Sequence, residues 1–215
     1  MLVFTIVFDF DIPALIRTVG LLGVVIMVFT ESGLLVGFFL PGDSLLFTAG
    51  FLASQGLFNI HLLALLVFIA AVAGDSVGYA FGFRVGPRLF NKEESLLFNK
   101  DNITRTQEFY KKHGGKTIVL ARFTPIVRTF APIIAGVGKM HYPTFLAYNI
   151  IGAAIWALGI TYTGYFLGSK IPNVDKYLLP IVILIVISSV APAIYHILKD
   201  PKQRKHLREM LVKKR

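Results

Sequence analysis

Apolar positions along this chain come in long unbroken blocks rather than in the one-sided stripes of a soluble helix or the alternation of a half-buried strand. Ile12–Thr30, Ile60–Phe83, Pro143–Leu167 and Leu178–Ile197 are each about long enough to cross a hydrocarbon core of roughly 30 Å. Leu178–Ile197 is the clearest, its only polar members being Ser188, Ser189, Tyr195 and His196. Two further apolar stretches are different in kind. Glu31–Gly50 (ESGLLVGFFLPGDSLLFTAG) carries Glu31 and Asp43 and is broken at Pro41-Gly42. Thr117–Gly138 (TIVLARFTPIVRTFAPIIAGVG) carries Arg122 and Arg128 and is interrupted by Pro125 and Pro132. Proline removes a backbone donor and breaks regular helix. Irregular backbone is tolerated at membrane depth only inside protein or beside a wet cavity. The pattern therefore predicts spanning helices for the four long blocks and re-entrant hairpins for the two broken ones.

Composition agrees with the pattern. Hydrophobic residues make up 55% of the chain and charged residues 16%, too apolar for a soluble domain, whose charged share is about a quarter. The net charge of +10 could suggest nucleic acid, but its placement points elsewhere. Eight Lys and Arg fall in Arg84–Lys116 and eight in Lys199–Arg215, both flanking apolar blocks, where such clusters stay cytoplasmic and meet anionic headgroups. With both clusters on one side, three full crossings between them violate parity. One block has to enter and leave on the same face, and Thr117–Gly138 fits. The same logic makes Phe51–Asn59, which lacks Lys and Arg, an outer connection, so the first hairpin enters from the opposite face. Two halves, each with a Pro-broken charged segment, point to inverted repeats with a site near the midplane.

The expected architecture is an all-α polytopic membrane protein with about four transmembrane helices plus two opposed re-entrant hairpins in an inverted-repeat arrangement. A single membrane domain covers 1–198, with hairpins near 31–50 and 117–138 and a cytoplasmic loop at 84–117. A basic cytoplasmic tail covers 199–215. The pattern leaves open whether Ile12–Thr30 crosses fully or forms one hairpin arm. Gly74, Gly78, Gly82 and Gly86 line one ridge of a helix and predict close approach of a neighbour. The segment between Pro87 and Gly114 reads as surface helices.

Glu31, Asp43, Arg122 and Arg128 then carry the chemistry. Unpaired at the bilayer centre, each costs roughly 2.5–3.5 kcal/mol, about 10 kcal/mol together. Complementary in number and sign, they are expected to face one another around a polar cavity lined further by Ser44, Asp75, Thr124 and Pro125. Arginine is suited to two-pronged phosphate contact, which makes Arg122 and Arg128 candidate ligands of a lipid phosphate. A carboxylate in a low-dielectric cavity tends to take up a proton, which makes Glu31 and Asp43 candidates for proton coupling. The plainer reading is that the ion pairs only fix how the hairpins dock. Trp156, Tyr162 and Tyr165 read as interface or packing aromatics.

Other chemistry has little support. There are no cysteines, and the five His residues (61, 113, 141, 196 and 206) lack metal-binding spacing. No metal, cofactor or enzymatic role is expected. A secretory signal peptide is disfavoured by Asp9 and Asp11 ahead of the first basic residue, Arg17.

Three segments carry a resemblance: Glu31–Leu46 (ESGLLVGFFLPGDSLL), Gly74–Gly86 (GDSVGYAFGFRVG) and Arg122–Gly136 (RFTPIVRTFAPIIAG). They resemble the DedA family, whose wider superfamily includes the SNARE-associated Golgi (VTT-domain) proteins, over roughly residues 15–195. The resemblance implies bacterial inner-membrane proteins with opposed re-entrant hairpins. Members look like proton-motive-force-dependent translocases of undecaprenyl phosphate or phosphatidylethanolamine, and the family's functional acids and arginines match Glu31, Asp43, Arg122 and Arg128. One departure is Phe83, at a position often basic in relatives, so Arg84 is given no role. The expected function is translocation of undecaprenyl phosphate coupled to the proton gradient, with the C-terminus cytoplasmic. The partners are membrane phospholipid or polyprenyl phosphate and protons, with no nucleic acid and with room for a homo-oligomer. The alternatives are a phosphatidylethanolamine scramblase or flippase, a proton-coupled small-cation antiporter and a non-transporting scaffold.

Overall fold

The computed structural model describes residues 12–33, 42–89 and 114–170. Pro41, the block Leu178–Ile197, most of the basic loop and the tail 199–215 lie outside the described residues. All regular structure among the described residues is helical: α1 (Ile12–Gly33), α2 (Gly42–Ser54), α3 (Ile60–Leu89), α4 (Lys116–Ala121), α5 (Pro125–Val137), α6 (Tyr142–Ala153) and α7 (Gly159–Lys170). A π-helical turn, Ala154–Leu158, joins α6 to α7.

Three segments are long and apolar enough to cross a membrane: α1, Ile60–Gly86 of α3, and Tyr142–Lys170. Three of the four long apolar blocks are therefore helical and of spanning length and composition, α1 with a kink at Gly20, and the fourth lies outside the described residues. In contrast, α2 and α5 have 13 residues each, about 20 Å at roughly 1.5 Å per residue, too short to cross.

Local sequence sets the helix limits. The Asn59 side chain accepts from the backbone N–H groups of His61 (3.0 Å) and Leu62 (3.1 Å), capping α3. Within α1 the backbone leaves helical geometry at Gly20, with φ +64°, a conformation that favours glycine. Between α4 and α5 the chain turns at Arg122–Thr124, and Pro125 opens α5, where its missing N–H is harmless. Two expectations need correction. Pro132 does not interrupt its segment, because α5 continues through it and forgoes only the bond to the Arg128 carbonyl. The loop expected from residue 84 does not begin there, because α3 carries Arg84 and runs on to Leu89.

Among the described residues, charge lies inside and part of the apolar surface lies outside. Glu31, Asp75, Arg122, Arg128 and Asn149 are buried, while Leu22 (71% exposed), Leu120 (69%) and Phe166 (58%) face outward, as hydrocarbon surroundings allow.

The same packing occurs twice. The short helix α2 of the first half packs most extensively on α7 of the second, and the short helix α5 of the second packs on α3 of the first. Glycines make both crossings possible. A Cβ on Gly50 would lie 2.0 Å from the Thr161 carbonyl oxygen, and one on Gly164 2.1 Å from that of Phe47. Likewise a Cβ on Gly82 would lie 2.0 Å from the Ile133 carbonyl oxygen, and one on Gly136 2.1 Å from that of Tyr79. The expected small-residue ridge of α3 is thus real. It seats α5, and Gly74 meets the end of α1. Ile16, Val24, Leu46, Leu52, Leu63 and Trp156 belong to the larger core, and Tyr79, Ile118, Ala135 and Phe145 form a smaller one.

Candidate functional site

The charged residues converge where the elements break or pass mid-length. Glu31 sits in the last turn of α1 and Asp43 in the first turn of α2, where the helix N-terminus favours an anion. Gly42 lets the two approach, since a Cβ there would lie 1.7 Å from a Glu31 carboxylate oxygen. Arg122 is the C-cap of α4 and Arg128 lies in the first turns of α5. Asp75 lies midway along α3, about 20 Å from either end at roughly 1.5 Å per residue. Trp156 lies midway along Tyr142–Lys170, inside the π-helical turn, a feature frequent at functional sites.

Arg128 bridges both acids of the first half. Its Nη1 donates to Asp43 Oδ1 at 2.7 Å and its Nη2 to Glu31 Oε1. Arg122 does not share them. Its Nη2 donates to Asp75 Oδ2 and, at 2.5 Å, to Asn149 Oδ1, while Asn149 Nδ2 donates to the Val72 carbonyl at 3.1 Å. The indole of Trp156 joins the two groups. Its Nε1–H donates to Asp43 Oδ1 at 2.8 Å, and its ring lies 4.4 Å from Arg128 Cζ and 5.7 Å from Arg122 Cζ, within cation–π range.

The expected opposition of acids and arginines is therefore present, but the pairing differs from two against two. Asp75, expected only to line the cavity, is the partner of Arg122. The described cluster holds three carboxylates against two guanidiniums, one excess negative charge when all are ionised. Ser44 is buried, whereas Thr124 is exposed and outside the cluster. Pro125 contributes the start of α5.

Pairing does not exhaust these groups. Arg122 Nε and Nη1, Arg128 Nε, Glu31 Oε2 and Asp75 Oδ1 are buried without a hydrogen-bond partner among the described residues. Buried polar atoms without partners are costly and uncommon. Access is uneven. The Asp43 side chain is 20% exposed, against 5% or less for Glu31, Asp75 and both arginines.

Sequence reasoning missed Asn149 and Trp156. Each occupies an otherwise apolar helical stretch, and the available signal was their polar atoms in a span rich in small and apolar residues.

The VTT domain matches residues 40–166, a range that begins next to Asp43 and includes Asp75, both arginines and Trp156. Protein DedA of Escherichia coli is 48% identical over 179 residues, covering 82% of this chain and 81% of that protein. The chain belongs to the DedA family. Other relatives are an uncharacterized membrane protein of Mycobacterium tuberculosis, 47% identical over 174 residues (80% of this chain, 76% of that one), and the inner membrane protein YqjA of Escherichia coli, 34% identical over 188 residues (82% and 85%). No solved structure matches. The expected all-helical, membrane-embedded DedA fold thus stands on the family match and on the three apolar spans.

Proposed function

We propose that this DedA-family protein is a lipid transporter of the bacterial inner membrane that moves a phosphate-bearing carrier lipid, undecaprenyl phosphate first among candidates, coupled to the proton gradient. The observation that carries this reading is the buried pair Arg122 and Arg128. They lie at the broken ends of short helices, with three guanidinium nitrogens unpartnered among the described residues. Arginine is the side chain suited to a phosphate, and mid-membrane charges are functional by default.

In this mechanism the arginines are held by carboxylates when no headgroup is present, and an incoming phosphate competes for them. The cluster already carries one excess negative charge. Adding a phosphate makes the site more negative in a medium where charge is expensive, so proton uptake by Glu31 or Asp43 accompanies the cargo. Asp43, the most exposed member, is the carboxylate the headgroup meets first. The short lengths of α2 and α5 and the repeated packing of the halves support hairpins that enter from opposite faces, an inverted repeat. The stretch of α1 after Gly20 has about the length of α2 and serves as the first hairpin's other arm. The basic segments, and with them the C-terminus, face the cytoplasm. No catalysis is assigned.

One observation favours a second reading. Three carboxylates beside two guanidiniums also suit a zwitterionic headgroup, its phosphate on arginine and its ammonium on a carboxylate, as in phosphatidylethanolamine. A small-cation antiporter is less well supported, because all three acids are engaged by arginine. Proteoliposome transport assays with undecaprenyl phosphate and phosphatidylethanolamine side by side, with and without a pH gradient, decide among these. Movement of the polyprenyl phosphate alone supports the first reading, movement of phosphatidylethanolamine the second, and movement of neither removes both.

A further inference from the structure

Asp43 Oδ1 has two donors of different character, Arg128 Nη1 at 2.7 Å and Trp156 Nε1 at 2.8 Å. A phosphate that takes Arg128 removes the first of these from Oδ1 and leaves the indole N–H in place. The same indole lies within cation–π range of both guanidiniums and is 2% exposed, so its ring cannot move without disturbing both. The surrounding π-helical turn widens the helix at this residue, which lets a large side chain point inward while α6 and α7 remain continuous.

We propose that Trp156 is a positioning residue for headgroup binding, retaining the Asp43 carboxylate on its indole N–H when a lipid phosphate displaces it from Arg128, and keeping both guanidiniums poised against its face. This rests on the lipid-phosphate reading above. It adds a residue that touches the cargo only through others and gives the only tryptophan of the chain a mechanistic place.

The experiment uses the full chain in nanodiscs, with a polyprenyl phosphate as probe and lipid-induced thermal stabilisation as the binding readout. Trp156→Phe keeps an aromatic ring but removes the N–H together with part of the ring face, and the Asp43→Ala background separates those two losses. Losing one hydrogen bond to a charged group corresponds to about a tenfold weakening of binding or somewhat more. If Trp156 acts through Asp43, the same substitution in an Asp43→Ala background changes binding by less than about twofold, because coupled residues are not additive. In the unaltered protein, Trp156 emission changes saturably with the probe, at the midpoint of thermal stabilisation.

Wild-type-like binding by Trp156→Phe overturns the proposal. So does an undiminished effect in the Asp43→Ala background, which would indicate general packing, and so does loss of binding by Asp43→Ala itself. A silent emission during demonstrated binding overturns it without any variant. Failure of the unaltered protein to bind the probe at all is a separate result. It removes the lipid-phosphate reading first, and the role of Trp156 with it.

Discussion

Arg122 donates to Asp75, a carboxylate on α3, and not to either acid of the first broken segment. Both side chains are almost completely buried, and Asp75 lies at the middle of a helix long enough to cross the bilayer. Burial of this kind makes the pair costly to break from one side only, because the remaining charge is left uncompensated.

The first prediction follows directly. Asp75→Ala or Arg122→Ala alone destabilises the protein by about 3–5 kcal/mol, while the double substitution costs less than the two together. Denaturation of nanodisc-embedded protein across the double-mutant cycle measures this. Simple additivity within about 0.5 kcal/mol would mean that the two residues are not energetically coupled.

Arg128 supports a sharper test of chemistry against charge. It holds Asp43 and Glu31 through different nitrogens, an arrangement a point-charge ammonium does not reproduce. Arg128→Lys is therefore expected to keep the net charge yet reduce transport by at least about tenfold, the scale of one lost charge-assisted bond. Initial rates in proteoliposomes check it, and a lysine variant with near-native rates would show that charge alone suffices.

The two tests also mark where sequence reasoning reached its limit. Glu31, Asp43, Arg122 and Arg128 were legible because charge in apolar sequence is conspicuous and costly, and the glycine ridge of α3 because small residues at helical spacing have a direct packing meaning. Which acid meets which arginine was not legible, since sign complementarity is the same for every pairing and the choice is made by helices far apart in sequence. Asp75 looked like a minor lining residue because its partner lies on α4. Trp156 looked like packing because an aromatic in an apolar span is ordinarily that, and nothing local reveals that its N–H reaches α2. Pro132 is misleading in sequence, since there proline removes one bond from α5 without ending it.

Glycine contacts give a prediction about geometry. Gly42→Ala places a Cβ where the Glu31 carboxylate lies, and Gly82→Ala places one against the Ile133 backbone. The first is expected to lower transport with modest loss of stability, because a side chain can swing away. The second is expected to destabilise strongly, because backbone has nowhere to go. Gly159→Ala, with nothing within 4 Å, should be neutral or stabilising by up to about 1 kcal/mol. Thermal unfolding and transport rates on the three variants separate these outcomes, and a stable, fully packed Gly82→Ala would contradict the close crossing of α3 and α5.

The count of charges leads to the last prediction. With Glu31, Asp43 and Asp75 against Arg122 and Arg128, a phosphate adds negative charge to a cluster already in excess, and a proton restores the balance. Glu31→Gln removes one carboxylate while keeping its size and one carbonyl acceptor for Arg128, so the empty cluster becomes neutral without a proton. Transport by the unaltered protein is expected to accelerate when protons are driven in the direction of lipid movement, and Glu31→Gln to lose most of that acceleration while retaining some gradient-independent movement. Flux of labelled polyprenyl phosphate measured at several imposed pH differences decides the matter. An unchanged gradient response in Glu31→Gln would move the coupling proton away from Glu31, and a flat response in the unaltered protein would remove proton coupling altogether.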